Sequence, residues 1–113
     1  MDHFEKPRNV GELAEPDGVA RAGNPVCGDE LKMFVRVREG LVAEVAYQAF
    51  GCHATIASAS LLSERARGLP TLDAAAITPA ELKGWFDDFP KGKGHAADVA
   101  VEGLRAALAE VSG

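Results

Sequence analysis

The sequence predicts an α+β fold, in which a small antiparallel sheet is followed by helices. Apolar residues alternate along two segments of the first half, and a helical period replaces this alternation after Gly51. The 113 residues suit one hydrophobic core but not two. We therefore expect a single domain over residues 1–113, with about three strands and with the helices packed on one face of the sheet.

Two neighbouring segments, residues 31–38 and 41–50, are the clearest strands and form a predicted hairpin. In the first strand the apolar face alternates with mostly cationic neighbours and comprises Leu31, Met33, Val35 and Val37. In the second strand the predicted inward side comprises Leu41, Ala43, Val45, Tyr47 and Ala49. Glu39 and Gly40 form the turn between them. Residues 9–25 have no clear period, so we predict mostly loop there, with room for one weak strand.

Helical spacing begins near Cys52 and stops at Gly68 and Pro70, which predicts the first helix. Its apolar stripe comprises Ile56, Ala59, Leu62, Ala66 and Leu69. A short helical stretch is expected at residues 72–76.

A capping box marks the start of the next helix. Thr78 and Glu81 have the required spacing, and Pro79 occupies the first helical position, so we expect helix through Phe86. Proline and glycine then predict a loop over residues 87–94. The last helix is predicted over residues 95–111, with a stripe that comprises Val101, Leu104, Leu108 and Val111.

Composition excludes several classes of function. The formal net charge is −5 and the pI is near 5.1, which argues against nucleic-acid binding because that role needs clustered Lys and Arg. No apolar run approaches the length of a membrane span, and MDHFEKPRNV at the start lacks the apolar core of a secretory signal. We therefore expect a cytoplasmic protein without membrane contacts, whose partners are proteins or ions.

The two cysteines, Cys27 and Cys52, are the strongest candidates for chemistry. A lasting disulfide is disfavoured in a reducing cytosol, which leaves metal ligation, nucleophilic chemistry or simple burial. Cys52 lies at a predicted helix start, where the helix dipole stabilises a thiolate, and His95 has the same position in the last helix. Taken singly, Asp29 suits a turn, and His53 or His95 suits a helix surface or cap.

Three stretches of the chain resemble one known family. DHFEKPRNVG near the N-terminus, GNPVCGD around Cys27 and GCHATIASAS around Cys52 are similar, in order and in spacing, to the NifU/IscU-type iron–sulfur cluster assembly scaffolds. The resemblance implies a small α+β domain that holds a transient two-iron two-sulfur cluster, or zinc at the same site, without enzymatic turnover. It also implies a cysteine desulfurase as the sulfur source and acceptor apoproteins as recipients.

The resemblance also assigns the site residues. Cys27, Asp29 and Cys52 match the family's first cysteine, its aspartate and its second cysteine. The family's third cysteine follows a histidine, whereas here His95 is followed by Ala96. The implied donor set is therefore Cys27, Asp29, Cys52 and His95, which suits zinc and would hold a cluster weakly. FPKGKGH also stands where the family tends to have Leu-Pro-Pro-Val-Lys, and this puts chaperone hand-over in doubt.

Three functions from different classes stay open at this point. The first is an iron–sulfur scaffold or carrier, and the second is a zinc-binding sulfur acceptor or regulator of a cysteine desulfurase. The third is a thiol enzyme with Cys52 as nucleophile and His95 as base. Iron with acid-labile sulfide in protein purified without oxygen would indicate the first, zinc alone the second, and neither the third. The resemblance favours the first.

Overall fold

The computed structural model of the protein describes residues 9–24, 29–50, 53–86 and 94–111, and at positions 24, 29, 53 and 94 the backbone alone. Within these ranges three strands precede four helices, so the predicted α+β class is confirmed. Cys27, Cys52 and residues 87–93 of the predicted loop lie outside the described residues.

The sheet is an antiparallel meander in the order β1 (Gly18–Asn24), β2 (Asp29–Arg38) and β3 (Leu41–Phe50). The predicted hairpin of β2 and β3 is confirmed, and β2 begins two residues earlier than expected. Its turn residues Glu39 and Gly40 have φ angles of 53° and 76°, the positive values that a tight two-residue hairpin requires. Strand β1 is the weak strand that the sequence allowed within residues 9–25.

A β-bulge changes which residues of β3 face the core. Arg36 pairs with Glu44 but Val37 pairs with Val42, so Ala43 is an extra residue in β3. One extra residue reverses the alternation of side chains on its far side. Val42 is consequently fully buried, whereas Leu41 is 42% exposed. The prediction that Leu41 and Ala43 share the inward face with Val45 and Tyr47 is therefore wrong at the start of the strand.

The described helices are α1 (His53–Ala66), α2 (Thr71–Ala75), α3 (Pro79–Gly84) and α4 (Gly94–Ala109). Each lies within about two residues of its predicted range. The predicted capping box is confirmed, because the Glu81 amide donates to Thr78 Oγ1 at 3.1 Å and the Thr78 amide donates to Glu81 Oε1 at 3.3 Å. No helix within the described ranges combines the length and the apolar character needed to cross a lipid bilayer.

The helices cover one face of the sheet, as predicted. Helix α1 packs on β3, and α4 packs on β1 and β2 as well as on α1. The large sheet residues buried beneath them are Leu31, Met33, Val35, Val42, Val45 and Tyr47. Helix α4 packs tightly on the sheet at Gly103, where an added β-carbon would be 3.1 Å from Leu31 Cδ2. Burial of each large apolar side chain contributes about 1.5–3 kcal/mol, so this layer is a main source of stability.

A segment that the sequence did not predict crosses the opposite, outer face of the sheet. It comprises residues 12–17 and is called the strap below. The strap begins beside β3, where Gln48 donates to the Glu12 carboxylate, and passes over Arg36, which donates to the Ala14 carbonyl. It ends where the Asp17 carboxylate accepts a hydrogen bond of 2.7 Å from the Val37 amide. Phe34 and Ala46 point to this face and are nevertheless buried, which accords with cover from the strap.

Candidate metal-binding site

The ends of several elements meet at one end of the sheet. Asp29 is the first residue of β2, and the next residue, Glu30, pairs with Phe50, the last residue of β3. Helix α1 begins at His53, three residues after Phe50, so its N-terminus lies at this same end. The chain positions of Cys27 and Cys52 therefore fall between elements that end or begin here.

Helix α4 directs its N-terminus toward the same end. Ala107, in its last turn, lies against Gly18 at the start of β1, whereas Gly103 lies over Ala22 and Leu31. The helix thus runs antiparallel to β1. From Gly103 to His95 the helix rises about 12 Å, and from Ala22 to the end of β1 the strand spans about 7 Å. The first turn of α4 therefore reaches the end of the sheet at which β2 begins.

Two helix N-termini pointing to one place make that place favourable for negative charge. An N-terminus carries roughly half a positive charge, which stabilises carboxylates and thiolates nearby. Neither α1 nor α4 has an acidic residue in its own first turn, so the positive ends are not compensated within the helices. The arrangement suits the anionic forms of cysteine and aspartate, which are the forms that ligate metals.

The structure describes the four predicted site residues to different extents. Asp29 is described by its backbone, at the start of β2, and His95 is half-buried in the first turn of α4. Cys27 and Cys52 lie outside the described residues. Among the described residues there is no group of three or more His, Cys, Asp or Glu side chains that could hold a metal ion. The four-residue donor set thus stays a prediction.

Ala96, which stands where the resemblance implies a third cysteine, is completely buried. Its neighbour His95 is half-buried, so the first turn of α4 has one side packed against the domain and one side open to solvent. A methyl group at position 96 can donate nothing to a metal. The first turn of α4 therefore offers the imidazole of His95 as its one side-chain donor, because Gly94 and Ala97 have none.

A large groove in the described part of the chain lies away from this end of the sheet. It has a volume of about 870 Å³, is lined by residues such as Arg38, Leu41 and Arg67, and lies beside the hairpin turn, at the opposite end of the sheet. Its open, mixed-charge lining does not suggest a metal or a cluster. A much smaller hollow of about 90 Å³ lies on the outer face near the candidate site, between Lys32 and the exposed Phe50.

Asn9 connects the N-terminal segment to strand β3 and to helix α1, and the sequence analysis did not predict this connection. Its carbonyl accepts from the Tyr47 amide of β3 at 3.1 Å, and the Gly11 amide donates to the Tyr47 carbonyl at 2.8 Å. Its side-chain Nδ2 donates to Ser63 Oγ of α1 at 2.9 Å. Asn9 has a φ of 61°, a left-handed conformation that asparagine tolerates better than most residues. The Asn-Val-Gly sequence within the N-terminal motif was the available signal.

Tyr47 and the hydroxyls of α1 form an unusually polar part of the core. Thr55, Ser58, Ser60 and Ser63 are all completely buried, as is Tyr47. Burial raises the pKa of Tyr47, and the nearby Ser60 side chain opposes this shift to a smaller degree. The phenol oxygen nevertheless makes no hydrogen bond of standard geometry with the described residues. Burial dominates the shift of the Tyr47 pKa, because a fully enclosed phenolate loses its hydration.

Comparison with known proteins agrees with this architecture. The NifU-like N terminal domain family matches residues 1–113. The iron-sulfur cluster assembly scaffold protein IscU 1 of Archaeoglobus fulgidus is 38% identical over 110 residues, which cover 97% of this chain and 72% of that protein. The IscU scaffold protein of Escherichia coli is 33% identical over 114 residues, which cover 97% of this chain and 88% of that protein.

A solved structure supports the fold independently of close sequence similarity. The nitrogen-fixing NifU-like protein (N-terminal) from Brucella abortus superimposes with a TM-score of 0.78 at 19% identity, covering 98% of this chain and 90% of that one. At this identity the match concerns the fold alone. The family match over the whole chain and the relatives above 30% identity carry the assignment: this chain belongs to the NifU-like N terminal domain family.

Proposed function

We propose that the protein is an iron–sulfur cluster assembly scaffold or carrier, which holds a transient cluster for delivery to acceptor proteins. The observation that carries this proposal is the similarity, over nearly the whole chain, to relatives named as IscU scaffold proteins. The convergence of the start of β2 with the N-termini of α1 and α4 supports it, because this end of the sheet favours anionic ligands.

The proposed donors are Cys27, Asp29, Cys52 and His95. Two thiolates, a carboxylate and an imidazole complete four-fold coordination, and each of these groups is an established metal donor. Thiolates are the preferred donors of iron–sulfur clusters, so a set with only two of them should bind a cluster weakly. Weak binding suits a carrier, because the cluster is cargo that must leave.

In this proposal the protein is a binding protein and carries out no turnover. Its residues hold the cargo, keep the donor groups anionic and release the cluster to an acceptor apoprotein. A cysteine desulfurase is the proposed source of sulfur. Because Ala96 cannot accept sulfur, the sulfur would have to reach Cys27 or Cys52 directly.

Zinc binding, with a role as sulfur acceptor or desulfurase regulator, is the second candidate. The replacement of a third thiol by the fully buried Ala96 favours it, because the remaining mixed donor set is a good tetrahedral zinc site. Both candidates use the same residues and differ in the cargo.

The test is to purify the protein without oxygen and to measure iron, zinc and acid-labile sulfide per chain. Iron and sulfide in equal amounts support the scaffold, and zinc alone supports the second candidate. X-ray absorption at the zinc edge should then show two sulfur ligands at about 2.3 Å. Protein that binds neither a cluster nor zinc after anaerobic reconstitution would contradict both candidates.

Two histidines near the site allow a matched comparison of the fourth donor. His95→Ala should lower metal or cluster content, whereas His53→Ala, which removes the same group from the start of α1, should leave it near the wild-type level. The opposite result would replace His95 by His53 in the donor set. Cys27→Ser and Cys52→Ser should each abolish cluster binding, because one thiolate would then remain.

A further inference from the structure

Asn9 links the N-terminal segment, the edge strand and the helix that leads to the proposed site. Its backbone pairs with Tyr47 of β3, and its side chain donates to Ser63 of α1 at 2.9 Å. The Ser63 hydroxyl in turn donates to the Ser60 carbonyl at 2.6 Å. Ser63 is completely buried and lies 54 residues from Asn9 in the chain, so this is a tertiary bond inside the domain.

Helix α1 needs such a bond because its buried surface is made mostly of small side chains. Ala54, Thr55, Ala57, Ser58, Ala59 and Ser60 are all buried. Small side chains form shallow ridges and grooves, which fix the position of a helix along a strand less firmly than large interdigitating ones. A hydrogen bond with defined geometry can supply the register that packing leaves loose, as single buried polar residues do in coiled coils.

We propose that Asn9 is a positioning residue for the metal or cluster site, acting through Ser63 on the position of α1 along β3. The inference rests on the proposed function, because it concerns the site at the head of α1. Asn9 does not touch that site. Ser63 lies ten residues into α1 from His53, which corresponds to about 15 Å of helix.

The coupling runs through one rigid element. Helix α1 is a continuous 14-residue helix enclosed by the domain, so a shift near Ser63 moves its N-terminus by a similar amount. Asp29 belongs to the neighbouring strand β2 and does not move with α1. The distance between a donor at the head of α1 and a donor on β2 therefore depends on where α1 lies along the sheet. Metal sites tolerate errors of only a few tenths of an ångström in such distances.

Two substitutions isolate this bond. Asn9→Gly keeps the left-handed conformation, which glycine adopts without strain, and removes only the side chain. Ser63→Ala removes the partner. Ser58→Ala is the matched control, because Ser58 is equally buried in the same helix but its hydroxyl has no hydrogen-bond partner among the described residues. Asn9→Asp keeps the shape of the side chain but removes the donor, because the Ser63 hydroxyl gives its one proton to the Ser60 carbonyl and cannot donate to the carboxylate as well.

The probe is cobalt(II), whose visible spectrum reports the geometry of its ligands. With protein that circular dichroism shows to be folded, we expect Asn9→Gly and Ser63→Ala to weaken cobalt binding by about tenfold or more and to alter the visible bands at saturation. Ser58→Ala should match the wild type, and Asn9→Asp should bind cobalt as weakly as Asn9→Gly because it lacks the N–H donor. If Asn9→Gly does not fold, Ser63→Ala alone carries the comparison with Ser58→Ala.

The contrary outcomes are distinct. Unchanged affinity and spectrum in Asn9→Gly and Ser63→Ala, even with lower thermal stability, would assign Asn9 a purely structural role and overturn the inference. An equal effect from Ser58→Ala would overturn it as well. Wild-type protein that binds no cobalt would overturn the inference alone, whereas wild-type protein that also binds neither a cluster nor zinc would overturn the proposed function as well.

Discussion

The carbonyl oxygen of Ala107 lies so close to Gly18 that a β-carbon on Gly18 would collide with it. The same β-carbon would lie 3.1 Å from Val111 Cγ2. Because the obstacle is backbone, it cannot turn aside as a flexible side chain would. Glycine at this position therefore lets the start of β1 pack directly under the last turn of α4.

Gly18→Ala should lower the free energy of unfolding by about 1–3 kcal/mol, since α4 must move away from β1 to admit the methyl group. Chemical denaturation monitored by circular dichroism measures this difference. Gly84→Ala is the matched control, because a β-carbon at Gly84, the last residue of α3, meets no atom within 4 Å. It should leave stability unchanged or raise it by up to about 1 kcal/mol. Equal stability of the two variants would contradict the close packing at Gly18.

Thr78→Ala should destabilise the protein by about 1 kcal/mol through loss of the helix cap on α3. The threonine hydroxyl accepts from the Glu81 amide, and alanine leaves that amide without this partner. Glu81→Gln is a milder control, because its amide oxygen can still accept from the Thr78 amide. The thermal midpoints of the two variants, compared with the wild type, check the prediction. A cost in Glu81→Gln as large as in Thr78→Ala would show that charge, and not the hydrogen-bonded box, dominates.

Stability should decrease at high pH because of Tyr47. Its pKa is raised in the folded state by burial, so the unfolded chain loses the phenol proton first. The stability contribution is complete below the ordinary tyrosine pKa of 10.0 and is lost as the pH rises through the folded-state pKa. Tyr47 is the only tyrosine in the chain, so absorbance of the phenolate reports this residue alone.

The check is to measure the free energy of unfolding on either side of pH 10 in the wild type and in Tyr47→Phe. The wild type should lose more stability than the variant over that interval. A Tyr47 pKa at or below 10.0 would contradict this prediction. An equal loss of stability with pH in the wild type and in Tyr47→Phe would contradict it as well.

Ala96→Cys should improve cluster holding, because it adds a thiolate donor beside His95 in the first turn of α4. Iron–sulfur clusters favour thiolates over oxygen or nitrogen donors. Since Ala96 is completely buried, the added sulfur should cost about 1–3 kcal/mol of stability unless the turn relaxes toward the site. Anaerobic reconstitution followed by decay of the visible absorbance in air measures the gain.

Ala97→Cys is the control for this variant. Ala97 is also completely buried, and it lies about 100° further around the helix, where a thiol has a different direction. Retention of iron and sulfide should increase in Ala96→Cys alone. Similar retention in both variants, or no gain in either, would remove the argument that this site is a three-cysteine site lacking one member.

The hairpin and the helices could be predicted because their apolar patterns admit one reading. Leu31, Met33 and Val35 alternate without interruption, and all three are buried. At the start of β3 the pattern fails, because consecutive residues are apolar and the alternation does not show which of them face the core. The bulge at Ala43 turns Val42 inward and Leu41 outward. The bulge depends on pairing with β2, which composition and period do not record.

The strap and the connection at Asn9 escaped prediction for a related reason. Each is held by single hydrogen bonds to distant residues, such as Asn9 to Ser63, and such bonds leave no periodic trace in the sequence. For the candidate site, the family resemblance supplied the identity of the residues. The structure adds the convergence of Asp29 and His95 at one end of the sheet, which follows from chain topology and not from their spacing in the sequence.

The strap also determines which surface this fold exposes first when it opens locally. The hydrogen bonds made by the Glu12 carboxylate, the Ala14 carbonyl and the Asp17 carboxylate are exposed to solvent, whereas the helical layer opposite is buried. Hydrogen exchange at the Asp17 amide, which donates to the Val35 carbonyl, should therefore precede exchange in the middle of β2. Lifting the strap would break these exposed hydrogen bonds while leaving α1 and α4 in place, so this local opening would change the outer face of the sheet, where Phe34 and Ala46 lie, and keep the core intact.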